Sequence, residues 1–306
     1  MILTNTELST WQHCRRCWWI GYYRQLRRIR DHRAVLSVGT LVHRGLEAYY
    51  RGAEHPLNWV KTKSLAMIDE DPNVADDILK EAELAGIMLD GYMQWVEETG
   101  ADSDLEVYGA EEKIEVPLGD TGFILRGKLD ARALRRSTGA RVFLEHKTVS
   151  NMVDLKKSAQ TNPQFLGYEL LEFLSLRETG RDGERADGTL LNMLKKVKRT
   201  ARAKPPFYER HEVHHNLEEL RNHQRHIVSI GREIEAARGR LDAGEPHHAV
   251  CPPSSSGARP QCTWCSYKDV CLSGMFDDGS DIESYLGMFY EPHDPYSYYE
   301  EEEEDE

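Results

Sequence analysis

Hydrophobic residues recur every three or four positions through most of the first hundred residues, a spacing typical of amphipathic helices. It predicts one helix from Thr6, a suitable N-cap, to about Arg30, and three further helices over residues 39–49, 56–69 and 76–98. The N-terminal third of the chain is therefore expected to be mostly helical.

The hydrophobic pattern then changes to the alternation typical of strands. Runs rich in Val and Ile, separated by turn-forming residues, predict a meander of three strands over residues 105–118, 122–134 and 141–148. The same criteria predict two more strands and two more helices: strands over residues 188–194 and 207–214, and helices over 163–176 and 218–241. This mixture of helices and strands predicts an α/β fold.

The composition is that of a water-soluble globular protein, with 40% hydrophobic and 30% charged residues. No apolar run approaches the roughly 18 residues that a membrane span needs. The first residues also lack the basic and apolar regions of a signal peptide. We therefore expect a cytoplasmic protein with no membrane contact. In that setting its six cysteines favour metal ligation or free thiols over disulfides.

The net charge of −13 is unusual for a protein that binds nucleic acid, but the charge is unevenly distributed. Residues 300–306 are all acidic, and residues 294–306 are expected to form a disordered tail that either solubilises the chain or mimics DNA. Basic residues form two runs, at Arg15, Arg16, Arg24, Arg27, Arg28, Arg30 and Arg33, and at Lys195, Lys196, Lys198, Arg199, Arg202 and Lys204. Each run is either a solvated face or a local potential that attracts a polyanion.

Charged residues stand near the end of one predicted strand and at the end of the next. Asp130 ends the segment GKLD, and Glu145 and Lys147 follow the apolar run 142–144 on the next strand. Residues i and i+2 of a strand share a face, so Glu145 and Lys147 would project together while His146 points away. Two carboxylates on neighbouring strands suit Mg²⁺, and a lysine beside them can serve the attacking water or stabilise phosphate charge. The alternative is an ordinary surface ion pair.

Further polar residues extend this constellation. His43, in the segment GTLVH of a predicted helix, can add a nitrogen ligand for Mn²⁺ or Mg²⁺, with Glu47 four residues later as its support. Gln164 and Tyr168 are also four residues apart and share one helix face, from which they can hold Lys147 or a nucleic-acid backbone. Taken singly, they are also explained as a half-buried histidine, a surface glutamine and a packed tyrosine.

Cysteines form a second constellation, which joins distant parts of the chain. Three late cysteines have the spacing C-x2-C-x5-C, and Cys14 near the N-terminus can supply a fourth ligand; the three are Cys262, Cys265 and Cys271. Four thiolates hold either Zn²⁺ or an iron–sulfur cluster. Either centre would clip the two ends of the chain together into one structural unit. The two surplus cysteines, either of which can replace the N-terminal ligand, are Cys17 and Cys251.

The order of these residues resembles the RecB-like branch of the PD-(D/E)xK nuclease superfamily. In that branch a helix-borne His precedes an Asp, then Glu-x-Lys and then Gln-x3-Tyr; here the order is His43, Asp130, Glu145–Lys147 and Gln164–Tyr168. The cysteine spacing is similar to that of the iron–sulfur members, which include AddB-type nuclease domains, CRISPR adaptation nucleases and phage-encoded exonucleases. The resemblance covers roughly residues 7–272. His146 departs from it, because many relatives have Asp at that position.

The resemblance implies a restriction-endonuclease-like core, with a mixed central sheet flanked by helices. It implies one nuclease domain over residues 1–293, made of a helical region (1–100), a nuclease core (101–243) and a metal-cluster region (244–293). The ligands that it implies for Mg²⁺ or Mn²⁺ are His43, Asp130, Glu145 and the carbonyl of His146. Lys147 would serve the attacking water, and Gln164 and Tyr168 would position Lys147 or the substrate. A structural [4Fe–4S] cluster, with Zn²⁺ as the alternative, is expected on Cys14, Cys262, Cys265 and Cys271.

The expected function is metal-dependent hydrolysis of DNA from its ends, in recombination, repair or phage DNA processing. The partners would be single- or double-stranded DNA and a recombination or repair protein. One rival interpretation is a nuclease fold that binds DNA or such a protein without cutting, and the presence of Asp130, Glu145 and Lys147 counts against it. Another is a metal-stapled interaction module, which would leave His43, Gln164 and Tyr168 as coincidences.

Overall fold

The structure is a computed structural model of the 306-residue chain, and it describes residues 1–29, 37–181, 184–254, 262, 265–272 and 282–299. The helices and strands in chain order are β1 (Ile2–Thr4), α1 (Asn5–His13), α2 (Arg15–Trp18), β2 (Leu26–Arg28), α3 (Val38–Tyr50), α4 (Pro56–Glu70), α5 (Ala75–Thr99), β3 (Leu105–Pro117), β4 (Ile124–Arg135), β5 (Arg141–Val149), α6 (Met152–Ala159), α7 (Pro163–Glu178), β6 (Ala186–Lys195), β7 (Tyr208–Val213), α8 (Leu217–Asp242), α9 (His247–Val250), α10 (Lys268–Leu272), α11 (Ile282–Phe289) and β8 (Tyr290–Pro292).

The chain divides into two compact units, which are named here by their position. The terminal unit comprises Met1–Ile29, Pro117–Gly127 and Asn222–Glu306. The central unit comprises Arg30–Val116 and Lys128–Arg221. The organisation of residues 1–293 as one nuclease domain stays a prediction.

The central unit is built on a mixed sheet, in which β3 pairs with β4 and β5, β6 and β7 follow in order. The β4–β5 and β6–β7 pairs are antiparallel, whereas β5 and β6 are parallel. A parallel pair needs a long crossover connection, and helices α6 and α7 provide it. The parallel pairing sets the ends of β5 and β6 side by side at one edge of the sheet.

Helices cover both faces of this sheet. Leu194 of β6 packs in a core with residues of α3, α4 and α5, including Leu41 and Leu89. Leu191 and Met193 of the same strand pack on the other side, with residues of α6 and α7. This division follows from the alternation of side chains along a strand. A mixed sheet flanked by helices confirms the predicted α/β fold.

The terminal unit brings the two ends of the chain together. β1 pairs in parallel with Ile124–Arg126 at the start of β4, and β2 pairs with β8 in antiparallel fashion. Nε1 of Trp11 donates a hydrogen bond to Glu233 of α8 at 3.1 Å. Within the described residues, no helix combines the length and the apolar character that a membrane crossing requires.

The single helix predicted from Thr6 to about Arg30 is wrong. Helix α1 is capped by the side chain of Thr4 and ends at His13, because Cys14 is extended (φ −161°, ψ 111°). A short helix, a π-helical turn over Trp19–Tyr23 and strand β2 follow. The partners of β1 and β2 are far away in sequence, so a local pattern does not reveal these strands. The other predicted helices and strands agree with the structure to within about two residues at each end.

Residues 294–299, which the sequence assigned to a disordered tail, pack on the terminal unit. The hydroxyl of Tyr296 donates to Oε2 of Glu7 at 2.6 Å, and Nε1 of Trp18 donates to the other oxygen of Glu7 at 2.9 Å. The guanidinium of Arg126 lies 6.0 and 5.7 Å from the ring centroids of Tyr296 and Tyr299. The expectation of disorder therefore does not hold for these six residues, and residues 300–306 lie outside the described part.

Candidate active site

Helix α3 places His43 close to the sheet of the central unit. A Cβ atom on Gly39 would lie 3.2 Å from Oγ1 of Thr148, so the glycine permits a close approach between α3 and β5. One turn after this contact, Nδ1 of His43 lies 3.5 Å from Oδ2 of Asp130. Glu47, which the sequence suggested as a support for His43, instead pairs with two arginines, Arg44 (2.9 Å) and Arg51 (3.0 Å).

Asp130 connects two neighbouring strands through its side chain. Its Oδ2 atom accepts a hydrogen bond of 2.7 Å from the backbone N–H of His146. The β4–β5 ladder extends to the Ala131–Leu144 pair. Beyond that pair, the N–H of His146 bonds to the carboxylate of Asp130 instead of to a backbone carbonyl of β4. The carboxylate is therefore held next to Glu145, the residue before His146.

Glu145 and Lys147 project together and join a chain of polar contacts with α7. Nζ of Lys147 lies 2.5 Å from Oε1 of Glu145 and donates to Oε1 of Gln164 at 3.1 Å. Nε2 of Gln164 in turn donates to the hydroxyl of Tyr168 at 2.7 Å. These four residues, which the sequence grouped by spacing alone, are thus brought together in the central unit.

His146 points to the opposite face of β5, where it packs in a polar network. Its ring stacks on Tyr50 with a centroid distance of 5.3 Å and an interplanar angle of 14°. The amide nitrogen of Asn192 donates to Nδ1 of His146 at 2.9 Å and to the hydroxyl of Tyr92 at 3.0 Å. Arg210 donates to both tyrosine hydroxyls. Burial lowers the pKa of His146 to about 3, so the ring is neutral.

Glu111 of β3 belongs to the same site, and the sequence analysis missed it. Its carboxylate and the side chains of His43 and Asp130 each place one ligand atom within 4.8 Å of the others. Glu111 is buried, pairs with Nζ of Lys128 at 3.4 Å and has a positive φ of 53°. The left-handed backbone interrupts the alternation of the strand. The pattern therefore did not show which carboxylate of the pair Glu111–Glu112 points inwards.

The carboxylates of this site repel one another. Burial, together with the charges of Asp130 and Glu47, raises the pKa of Glu111 to about 7. Burial and the charge of Asp130 raise the pKa of Glu145 to about 7 as well. Burial also acts to raise the pKa of Asp130, but the charge and hydrogen bond of His43 outweigh it and hold that pKa at about 2. A cation at this position would relieve the repulsion.

The residues present fit a divalent cation. Oε2 of Glu145 is buried and has no hydrogen-bond partner among the described residues. A buried carboxylate oxygen without a partner is costly unless a ligand binds to it. His43, Glu111 and Asp130 add one nitrogen and two further carboxylates, which are donor types that Mn²⁺ and Mg²⁺ accept.

In the terminal unit, cysteines from the two ends of the chain meet. Sγ of Cys17 lies 3.3 Å from Sγ of Cys265. A hydrogen bond from Cys17 lowers the pKa of the Cys14 thiol to about 5, and a second one lowers the pKa of Cys265 to about 7. Cys17, which the resemblance left out, is therefore in contact with two cysteines of the expected ligand set. The other two expected ligands differ in exposure: Cys271 is half-buried and Cys262 is exposed.

Comparisons with known proteins identify the family. The family description PD-(D/E)XK nuclease superfamily matches residues 3–272. No curated protein sequence gives a significant match. Among solved structures, one similar protein comes from Eubacterium rectale and is described as a candidate exonuclease; the identity is 12%, the TM-score is 0.46, and the match covers 86% of this chain and 87% of that one. Another is SSO0001, with 14% identity, a TM-score of 0.31 and coverage of 78% and 85%. Because the family match spans most of its length, this chain belongs to the PD-(D/E)XK nuclease superfamily.

Proposed function

We propose that this protein is a deoxyribonuclease that depends on Mg²⁺ or Mn²⁺ and hydrolyses phosphodiester bonds from DNA ends. The observation that carries the proposal is that the central unit contains two sets of residues suited to phosphodiester hydrolysis. One is the set of possible metal ligands formed by His43, Glu111 and Asp130. The other is the Glu145–Lys147 pair, which is bonded to Gln164. Membership of a nuclease superfamily supports both the reaction class and DNA as the substrate class.

The proposed metal ligands are His43, Asp130, Glu145 and the backbone carbonyl of His146, and the geometry adds Glu111. A bound metal ion of this type polarises a phosphoryl oxygen and makes its bound water more acidic. The chain's own contribution is to gather the ligands and to hold Lys147 beside them.

Lys147 has the charge of a phosphate-binding group. Burial acts to lower its pKa, but the neighbouring charge of Glu145 outweighs this effect and raises the pKa above its ordinary value. The ammonium group therefore stays protonated near neutral pH, and we assign it the stabilisation of charge on the phosphate rather than removal of a proton. Gln164 and Tyr168 position Lys147 through their hydrogen bonds.

The cysteines of the terminal unit would hold a structural metal centre. The proposed ligands are Cys14, Cys262, Cys265 and Cys271, and the contacts of Cys17 make it a fifth candidate. A [4Fe–4S] cluster is the proposed occupant and Zn²⁺ is the alternative. Iron and zinc analysis of the purified protein, together with its visible absorbance, separates the two, because only the iron–sulfur centre is coloured.

A cleavage assay on linear DNA tests the proposed activity. DNA labelled at either the 5′ or the 3′ end is incubated with Mg²⁺, Mn²⁺ or EDTA. The proteins compared are the wild type, Glu145→Ala, Lys147→Ala and the control Lys157→Ala, which changes an exposed lysine of α6. Metal-dependent cleavage by the wild type and the control, and its loss in the other two variants, would support the proposal. Cleavage that persists in EDTA, or that survives Glu145→Ala, would contradict it.

The exonuclease assignment has its own test, which uses covalently closed circular DNA. An enzyme that requires an end leaves the circle intact and degrades the same DNA after linearisation. Cutting of the closed circle would instead make the protein an endonuclease. Cytoplasmic location and a role in recombination, repair or phage DNA processing remain predictions that this assay does not address.

A further inference from the structure

The loop between β6 and β7 carries the second basic run of the sequence. Residues 195–204 contain six lysines and arginines and no acidic residue, although the chain as a whole has a net charge of −13. The loop belongs to the central unit, together with the candidate active site. The positive charge is therefore concentrated in this loop, and the acidic composition of the whole chain does not account for it.

Two of the six basic residues, Lys198 and Arg199, make contacts that fix the conformation of the loop. The guanidinium of Arg199 lies 3.8 Å from the ring centroid of Phe207, and it donates to the carbonyl of Val197 at 3.0 Å and to the hydroxyl of Tyr208. Lys198 pairs with Glu83 of α5 at 2.6 Å. These contacts tie the loop to its own stem and to a neighbouring helix, so it presents a defined surface.

Three other basic residues of the loop point to solvent. Lys196, Arg202 and Lys204 are all exposed. Among the described residues, no carboxylate forms an ion pair with any of them. Three exposed cations on one loop, none of them paired with a carboxylate of the described residues, give the loop a local positive potential that attracts a polyanion.

The loop begins beside the strand that carries Lys147. In the parallel β5–β6 pair Val149 lies opposite Lys195, and the N–H of Lys196 donates to the carbonyl of Val149 at 2.8 Å. Val149 follows Lys147 by two residues on β5. At about 3.3 Å per residue along a strand, Lys196 lies on the order of 10 Å from Lys147. Neighbouring phosphates of one DNA strand are separated by at least their axial rise of about 3.4 Å, so this distance spans no more than about three nucleotides.

We infer that Lys196, Arg202 and Lys204 bind the DNA backbone a few nucleotides from the phosphate that is cleaved, and so hold the substrate across the active site. This inference rests on the proposed nuclease function. The loop would contact phosphates only, and it would therefore strengthen binding without selecting a base sequence. Its three cations would contribute to affinity mainly through release of counterions from DNA.

A triple substitution tests the inference. Lys196→Gln, Arg202→Gln and Lys204→Gln are combined, and a control variant carries Lys61→Gln and Lys63→Gln on the exposed side of α4. Binding of a fluorescently labelled oligonucleotide is measured in Ca²⁺, to prevent cleavage, at several salt concentrations. We expect the Kd of the triple variant to rise about tenfold or more at low salt. A plot of the logarithm of the association constant against the logarithm of the salt concentration has a negative slope. Its magnitude should decrease by roughly two to three in the triple variant, because three phosphate contacts are removed. The control should match the wild type.

Hydrolysis of a small phosphodiester, bis(p-nitrophenyl) phosphate, distinguishes an effect of the loop on DNA binding from an effect on bond cleavage. This substrate is too short to reach the loop, so the triple variant should hydrolyse it at the wild-type rate in Mn²⁺. An unchanged Kd and salt slope in the triple variant would overturn the inference while leaving the nuclease proposal intact. A third outcome is that the triple variant binds DNA more weakly, as expected, while the wild type hydrolyses neither substrate. That outcome would support DNA binding by the loop and contradict the nuclease proposal.

Discussion

The backbone N–H of His146 donates a 2.7 Å hydrogen bond to the carboxylate of Asp130. This bond joins β4 and β5 just beyond the Ala131–Leu144 pair, at the point where the candidate ligands gather. It explains how Asp130 and Glu145, which are fifteen positions apart in the sequence, come to face one site. The His146 side chain turns the other way, onto Tyr50. The backbone of residue 146 thus belongs to the site and its imidazole belongs to the supporting network.

Gln164 should matter for turnover more than for DNA binding. Its Oε1 atom holds Nζ of Lys147 at 3.1 Å, so Gln164→Ala would leave Lys147 less well oriented. We expect kcat to fall roughly tenfold to a hundredfold, with little change in KM. Tyr168→Phe should have a smaller effect, because Tyr168 acts on Lys147 through Gln164. Steady-state kinetics on labelled DNA measures both variants, and an equal loss in the two would contradict this order.

Glu111 should contribute to metal affinity. Glu111→Gln keeps the size of the side chain and the same left-handed backbone requirement, but it removes a carboxylate that lies within 4.8 Å of His43 and Asp130. We expect the Mg²⁺ or Mn²⁺ concentration for half-maximal activity to rise about tenfold. Glu112→Gln is the matched control, since Glu112 pairs with Arg132 at 2.7 Å. If the two variants have the same metal dependence, Glu111 is not a ligand.

His215 should make the stability of the central unit depend on pH. Both of its ring nitrogens face acceptors, Oε1 of Glu169 at 3.0 Å and the carbonyl of Gln160 at 3.0 Å, which the charged imidazolium satisfies best. Burial acts to lower the pKa of His215, but these hydrogen bonds outweigh it and raise that pKa. A histidine whose pKa is raised by folding stabilises the folded state below its unfolded pKa of about 6.5. This stabilisation is lost as the pH rises through the folded value.

Thermal unfolding between pH 5.5 and 9 tests this expectation for His215. The difference in Tm between the wild type and His215→Gln should be largest at the acid end and should shrink as the pH rises. The control Asn58→Gln, which changes an exposed residue of α4 without a titratable side chain, should give a difference that does not change with pH. A constant difference for His215→Gln would show that the pair with Glu169 is not charged.

Tyr296 should stabilise the terminal unit. Its hydroxyl donates to the fully buried carboxylate of Glu7 at 2.6 Å. Tyr296→Phe would leave that oxygen without this donor, at a cost of about 1–3 kcal/mol in the free energy of unfolding. Chemical denaturation measures the change, and Tyr285→Phe, on a half-buried tyrosine of α11, serves as the control. Equal stability of the two variants would mean that the Glu7 contact contributes little.

The same contact decides how a role of the acidic tail in DNA binding should be tested. A truncation before residue 294 would remove Tyr296 together with the acidic residues, and so would mix a loss of stability with a change of charge. Truncation after Tyr299 removes only residues 300–306 and keeps the Glu7 contact. If the tail mimics DNA, this shorter truncation should lower the Kd for DNA at low salt, where electrostatic competition is strongest. An unchanged Kd would leave solubility as its role.

The sequence by itself determined the α/β fold, the bounds of most helices and strands, and the pairing of Glu145 with Lys147 and of Gln164 with Tyr168. Those features are local, because they follow from the period of hydrophobic residues and from spacings of two or four positions on one element. The family follows from the same residues taken in order along the chain.

Only the tertiary structure decided the features that depend on distant residues. Glu111 enters the site because a left-handed residue turns its side chain inwards, and no periodic pattern records that turn. Cys17 meets Cys265 because β2 pairs with β8 and brings both ends of the chain into one unit. The end of the predicted N-terminal helix and the packing of Tyr296 on Glu7 have the same origin. In the last three cases a contact across the sequence outweighs the local preference of the chain.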